Sequence, residues 1–399
     1  MPVYSNFIGS NSKLIDLQNN LWNICLPNNR ITAAGIPQTS KGTGISYGDY
    51  FTAADTFLTE NNHYNLLNAL NQVIKPKVSV DAIQAVNLHL IKHGKYYHPS
   101  HVSVKMKNEK ELSFVLNVAI SADGQRIIAQ EYKTLKYLNA EFPVSFLPKV
   151  FTFGKVFTSS GAPIQMFLGE WFHDFHEFHL SSVLVSDSKP NLIPNQQCVV
   201  VWNDRQDILD NHQALELIQK ASMILTFYYN PETSEHIFPW HHAAGDFVVK
   251  LDKNQLALKL ISARRYVPLI EGSIDSNLEA ISIDNMLDAL LAFFINLSLR
   301  MRMDRIDGVG SMTFYGDDCL TAVVDGFFQG LDLVANMREY PNNFCSAIKA
   351  YFNGLRSEEL VDFVHTCISQ YTSIVDNEVW TQLDLSQHAR SLKKALALI

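Results

Sequence analysis

The residues best equipped for chemistry lie together in Trp240-His-His-Ala-Ala-Gly-Asp-Phe-Val-Val249, where two histidines and an acid occupy a turn that runs into an apolar strand. His241 or His242 can accept a substrate proton, because an imidazole titrates near neutral pH. Asp246 offers hard oxygen contacts to a divalent cation; following Gly245 at the head of a strand, it serves equally well as a turn cap. The histidines also have a plain reading, one packed into the core and the other in a loop. Downstream, Arg264 and Arg265 carry guanidinium forks that match phosphate oxygens. Adjacent strand residues point to opposite faces, so at most one of these arginines faces a ligand unless the chain turns there.

Other stretches carry weaker chemistry. In His173-Asp-Phe-His-Glu-Phe-His179 a helix would bring His173, His176 and His179 to one side, whereas a strand would group His173, Glu177 and His179. Either set could supply two or three imidazole or carboxylate ligands to a transition metal, although the interleaved phenylalanines read as core packing. Arg300-Met-Arg-Met-Asp-Arg-Ile-Asp-Gly308 reads as a helix end whose charges suit its electrostatics. Asp317 and Asp318 read as a polar turn. Thr39–Gly48 sets a lysine among glycines but lacks the G-K-[ST] order of a phosphate loop.

The bulk numbers bound these options. A chain of 399 residues with 47% hydrophobic content can bury one large core or two to three ordinary ones. A formal net charge of −8 argues against nucleic acid as a partner, which would require a basic face. Five scattered cysteines without a C-x-x-C pair fit reduced thiols in a cytoplasmic setting rather than a disulfide framework or zinc cage. The amino terminus lacks the basic start and apolar core of a signal peptide. The longest apolar stretch, Met286–Leu299, includes Asp288 and Asn296 and is too short to span a bilayer.

Three segments must position the candidate residues. Residues 1–80 read as a mainly helical extension with Gly/Ser-rich turns, including a helix over Asn61–Val73. In residues 81–170, a helix is expected over Asp81–Lys92, with strands at Val102–Met106 and Leu112–Ile120. The Ala122-Asp-Gly124 turn then leads to a helix over Arg126–Asn139, followed by strands at Val150–Val156 and Ile164–Leu168. That order describes a small antiparallel sheet with one packed helix. Residues 171–399 hold a strand at Cys198–Trp202 and a helix capped near Asp210 or Asn211. A hairpin follows at Phe247–Lys250 and Leu256–Ile261, and then helices at Asp284–Met303, Asn343–Leu355, Ser357–Ile374 and Leu385–Ala397.

This α+β plan resembles the bilobal kinase-like phosphotransferases, with a small antiparallel β lobe bearing one packed helix and a larger, mainly helical lobe. Glu131-Tyr-Lys-Thr-Leu-Lys-Tyr-Leu138 followed by Phe146-Leu-Pro-Lys-Val150 resembles the helix-then-proline passage of aminoglycoside phosphotransferases. Met166-Phe-Leu-Gly-Glu170 looks like their hinge strand, and Gly245-Asp-Phe-Val-Val249 resembles the end of their H-x-D-x-x-x-x-N loop. The resemblance implies ATP with Mg²⁺ or Mn²⁺ as cofactor and a small molecule or protein as acceptor. In it Glu131 anchors a phosphate-contacting cation, Met166 and Leu168 flank adenine, and Asp246 binds metal. His241 or His242 acts on the acceptor, while Arg264 or Arg265 stabilises phosphate charge. The sequence departs from the family at several points. His241 stands at the catalytic aspartate position and Ser262 near the second metal ligand. Asn117 or Ser121 occupies the strand lysine position, which Lys105 on the preceding strand would have to replace. Phosphoryl transfer relies on such cations and on a base. The same text therefore also fits a catalytically inactive pseudokinase that regulates or scaffolds a protein partner, and more weakly a metal-dependent enzyme built on the histidine cluster.

Overall fold

The computed structural model describes residues 1–9, 13–27, 44–182, 197–203, 205–240, 245–252, 255–269, 283–371 and 380–398. They form an α+β protein that divides into two compact units, Met1–His173 and Asp174–Ile399. Among the described residues no helix is long and apolar enough to cross a membrane.

The first unit is a mixed sheet between two helices. Its elements are β1 (Val3–Ile8), β2 (Lys13–Leu14), α1 (Tyr47–Val73), β3 (Ile83–Leu90), β4 (His98–Met106), β5 (Glu111–Ala119), α2 (Ala122–Glu141), β6 (Val150–Phe157) and β7 (Pro163–Glu170). The strands lie in the order β2-β1-β3-β4-β5-β7-β6, antiparallel except where β1 runs parallel to β3. Side chains alternate across a strand, and one set is mostly apolar: Val102 and Val104, Phe114, Leu116 and Val118, and Ile164, Met166 and Leu168. These pack against Tyr50, Phe51, Phe57, Leu66 and Leu70 of α1 in one core. The other helix, α2, packs on β5, β6 and β7, where the Tyr132 ring meets Phe153 and Phe167 at 5.3 and 6.0 Å.

Residues 1–80 are thus built into this sheet, through β1 and through α1, which covers one face. A capping box at Ser46 and Asp49 starts α1 far upstream of the predicted Asn61. Asn61, Asn62 and His63, all at positive φ, interrupt it. Two further local expectations are corrected. Asp81–Lys92 forms no α-helix: after a single 3-10 turn at Val80–Ala82, Ile83, Val86, Leu88 and Leu90 send side chains into the core as β3. Ala122-Asp-Gly124 is no turn but the first turn of α2, capped by the Ser121 hydroxyl accepting from the Gly124 amide at 3.1 Å.

The second unit combines small sheets with helices. It runs β8 (Phe178–Ser182), β9 (Gln197–Val201), β10 (Asp207–Ile208), α3 (Asn211–Phe227), β11 (Glu235–Ile237), β12 (Phe247–Asp252), β13 (Gln255–Leu260) and β14 (Tyr266–Pro268). The remainder is α4 (Ile283–Arg302), β15 (Met303–Arg305), β16 (Met312–Phe314), α5 (Cys319–Met337), α6 (Phe344–Gly354), α7 (Ser357–Tyr371) and α8 (Leu385–Leu396). The Asp210 cap, the β12–β13 hairpin and helices α4, α6, α7 and α8 fall where the sequence places them. Helix α5 had no counterpart in the sequence reading, yet it forms the closest helix pair with α3. A Cβ on Gly326 would stand 2.1 Å from the Gln219 carbonyl oxygen, and one on Gly330 2.5 Å from that of Met223.

Candidate functional site

The loop that dominates the sequence leads into β12. His241 and His242 lie outside the described residues; Gly245 and Asp246 are placed. Gly245 has φ +69° and passes so close beneath Glu177 that a Cβ there would sit 2.7–2.9 Å from the carboxyl group. Only glycine fits both demands. Asp246 follows, with 2% of its surface exposed. Its carbonyl oxygen accepts from the Ile261 amide at 2.7 Å, extending the β12–β13 hairpin by one rung.

The Asp246 side chain is gripped at both oxygens. Arg264 Nη1 donates to Oδ2 at 2.9 Å and Nη2 to Oδ1 at 2.6 Å, while Nη1 also lies 3.4 Å from the Pro239 carbonyl oxygen. A guanidinium fork on a carboxylate is the strongest ion-pair geometry available to side chains, and here the side chains are only 17% and 3% exposed. Arg264 therefore faces the loop. Arg265 is exposed, and its carbonyl oxygen accepts from Phe238. Ser262, near the expected second metal ligand, is buried.

Both Asp246 oxygens are committed to a cation, and among the described residues no group of three or more His, Cys, Asp or Glu side chains could hold a metal. The histidine-rich stretch forms no helix. His176 makes an isolated bridge to Val249 of β12, and His179 enters β8, so the strand grouping of Glu177 with His179 is the one realised. His173 ends the other unit.

A second cluster in the same unit lies next to Gly245. His179 Nδ1 is 3.3 Å from Asp304 Oδ1, and the Asp304 carboxylate also accepts the Leu180 amide at 2.7 Å and the Arg305 amide at 2.6 Å. Both side chains are buried. The other ring nitrogen, Nε2, lies 3.9 Å from Glu177 Oε2. Ser181 donates to Asp307 at 2.5 Å alongside. Arg300 and Arg302 form the basic last turn of α4, as the helix-end reading expects, and Arg300, Arg302 and Asp304 are all buried. Arg302 donates to the Tyr315 carbonyl oxygen at 3.0 Å, contacts His388 Nδ1 at 3.2 Å, and pairs with Asp317 at 2.8 Å. The Asp317 carboxylate accepts from Ser391 as well, so it serves structure rather than a metal.

In the first unit Glu131 is 1% exposed, on the sheet-facing side of α2 with Ile128, Leu135 and Leu138. Asn117 is buried on β5, paired across the ladder with Phe167 and so on the face away from α1. Lys105, on the same face of β4, forms an ion pair with Glu109 at 2.9 Å and is 44% exposed. Met166 and Leu168 cannot flank a ligand with their side chains, because even-numbered positions of β7 point into the α1 core.

Comparison with known protein families and with curated protein sequences gives no match to this chain.

Proposed function

We propose that this chain is an atypical kinase-like phosphotransferase that takes ATP and carries the phosphate charge on Arg264 rather than on a metal bound at Asp246. The observation that carries the reading is the first unit's sequence of three antiparallel strands, a helix and two more antiparallel strands, with Glu131 of that helix buried toward the sheet. A carboxylate in that position is what the kinase-like resemblance asks of it. Asp246 then works as a positioning group: its fork-on-carboxylate pair fixes the guanidinium plane, and a preoriented cation stabilises developing phosphoryl charge without reorganising.

The same pair favours a second reading, an inactive regulatory pseudokinase, since an arginine already satisfied by a buried carboxylate has less to gain from phosphate. One experiment separates the two. ATP is expected to raise the thermal midpoint of the protein, with or without Mg²⁺ or Mn²⁺, and Arg264→Ala to abolish that rise; release of inorganic phosphate then distinguishes transferase from scaffold. No midpoint change with ATP under any metal condition would remove the phosphotransferase reading and favour the inactive one.

A further inference from the structure

A polar pocket opens in the first unit beside the start of α1, and it shares no residue with the candidate phosphate site. Its volume is about 380 Å³, within the roughly 300–1,000 Å³ of small-molecule sites. Three segments build it. The chain before α1 is tied to the helix by backbone bonds: the Tyr47 amide donates to the Ile24 carbonyl oxygen at 2.9 Å, and the Gly48 amide to that of Trp22 at 2.8 Å. The Trp22 indole lies flat on Gly48, where a Cβ would run into its Nε1, Cε2 and Cδ1 together. From the other side, Gly154 of β6 passes so near α1 that a Cβ there would stand 2.7 Å from the Phe57 ring. That close approach brings the end of β6, with Phe157 61% exposed, to the pocket's edge.

The lining decides what such a pocket can hold. Asp49 is its one ionisable side chain among the described residues. The amides of the first helical turn are already bonded, that of Asp49 to the Ser46 hydroxyl at 3.0 Å. An anion therefore finds neither a cation nor a free amide there. A cationic ligand would meet Lys155, whose ammonium already sits over one face of the Phe157 ring, 4.9 Å from its centroid. A neutral ligand remains, and for one rich in hydroxyls the partners are present. Thr52 and Ser159 are exposed, and their hydroxyls make no hydrogen bond among the described residues. Asp49 spends only Oδ2 on its capping box with Ser46, which leaves Oδ1 to accept. The Asn23 side chain adds an amide that both donates and accepts.

We propose that this pocket binds a neutral sugar ring. The C–H face of the sugar lies on Trp22 and Phe157, which supply the apolar contact. Its hydroxyls bond Thr52, Ser159, Asn23 and Asp49 Oδ1. The ligand is either a free sugar or the end of a glycan.

Saturation-transfer NMR on the full chain tests this, with glucose, galactose, mannose and N-acetylglucosamine, and the methyl glycoside of each, as probes. Transfer is expected to reach the C–H protons of at least one of them. Phe157→Ala removes an exposed ring and should weaken binding about tenfold. Thr52→Val keeps the shape of an exposed side chain without its hydroxyl and should weaken binding about threefold to tenfold. Tyr64→Ala, which removes an exposed ring outside the pocket, should change nothing. A methyl glycoside that binds as well as its sugar marks a glycan end as the ligand; binding of the free sugar alone marks a metabolite. Absence of transfer from every probe would overturn the assignment, as would transfer left intact by both Phe157→Ala and Thr52→Val. Transfer to tetramethylammonium but to no sugar would make the pocket a cation site instead.

Discussion

Asp246 and Arg264 set the terms of the loop, and they can be tested as a pair. A buried ion pair broken on one side leaves an uncompensated charge, at a cost of about 3–5 kcal/mol. Arg264→Ala is therefore expected to lower stability by about that much in denaturant titration, and Asp246→Asn by less, because the amide oxygen still accepts from Arg264. Arg264→Ala also frees both carboxylate oxygens. It should bind Mn²⁺ measurably by paramagnetic resonance where the wild type does not; equal Mn²⁺ binding by the two would mean that Arg264 does not exclude the ion. Asp55 offers a contrasting residue on α1. Burial pushes its carboxyl up to about 6, with only the Asn6 amide, 3.1 Å away, working downward. One carboxyl oxygen, Oδ1, is buried without a hydrogen-bond partner among the described residues. A folded pKa above the unfolded one means that the charged form opposes folding at neutral pH. Asp55→Asn should raise stability at pH 7–8 by about 1–3 kcal/mol and change it little below pH 4.

At the scale of elements, the α3–α5 pair depends on absent side chains. Gly326→Ala would drive a methyl group into the Gln219 carbonyl oxygen, 2.1 Å away, and rigid helix backbones cannot yield that distance. Overpacking of this kind costs about 1–3 kcal/mol or more; thermal denaturation showing an unchanged midpoint would mean that the helices are free to separate. The pair also shows which signals a sequence exposes. Elements with local punctuation were legible: Asp210 before α3, the Asp252–Gln255 turn between β12 and β13, and the proline-flanked start of β6. Helix α5 carries a polar stripe at helical spacing, Asp325, Gln329, Asp332 and Asn336, so its period was present in the sequence although the reading passed over it. Strand β3 was mistaken for a helix because an irregularity between Ile83 and Ala85 leaves its buried apolar residues at 83, 86 and 90, which is helical spacing, while Val86, Leu88 and Leu90 alternate as a strand. The site divided the same way. Asp246, Arg264 and Glu131 stood out by type and neighbourhood, whereas the partnership of His179 with Asp304 joins residues 125 positions apart and has no local signature.

Across the whole molecule, buried histidines couple the fold to pH. Burial lowers His93 and His236 to about 4 and His98 and His388 to about 3, with His93 repelling His98 and Arg302 repelling His388. Burial also lowers His101 to about 4, reinforced by His89 and His173. Geometry keeps the first pair neutral: His93 Nδ1 and His98 Nδ1 are 3.1 Å apart, a separation that admits one proton, and Tyr47 holds His93 Nε2 at 3.0 Å. Each histidine stays neutral in the folded protein at pH values where the unfolded chain, titrating near 6.5, takes up a proton. The unfolded state therefore binds more protons below pH 6.5, and stability falls as pH drops from there toward 4, flattening below about 3. The slope is at most about 1.4 kcal/mol per pH unit per histidine, so several acting together rival the 5–15 kcal/mol that holds a domain folded. Asp55 acts in the opposite sense between about 6 and 3.8, but it is one group against five. Urea midpoints measured between pH 7 and 4.5 should decline steadily in this protein. His236→Phe keeps the ring packing against Phe293, 5.7 Å away, and should remove one histidine's share of the slope. A midpoint flat from pH 7 to 5, or a slope untouched by His236→Phe, would mean that these imidazoles reach water in the folded chain.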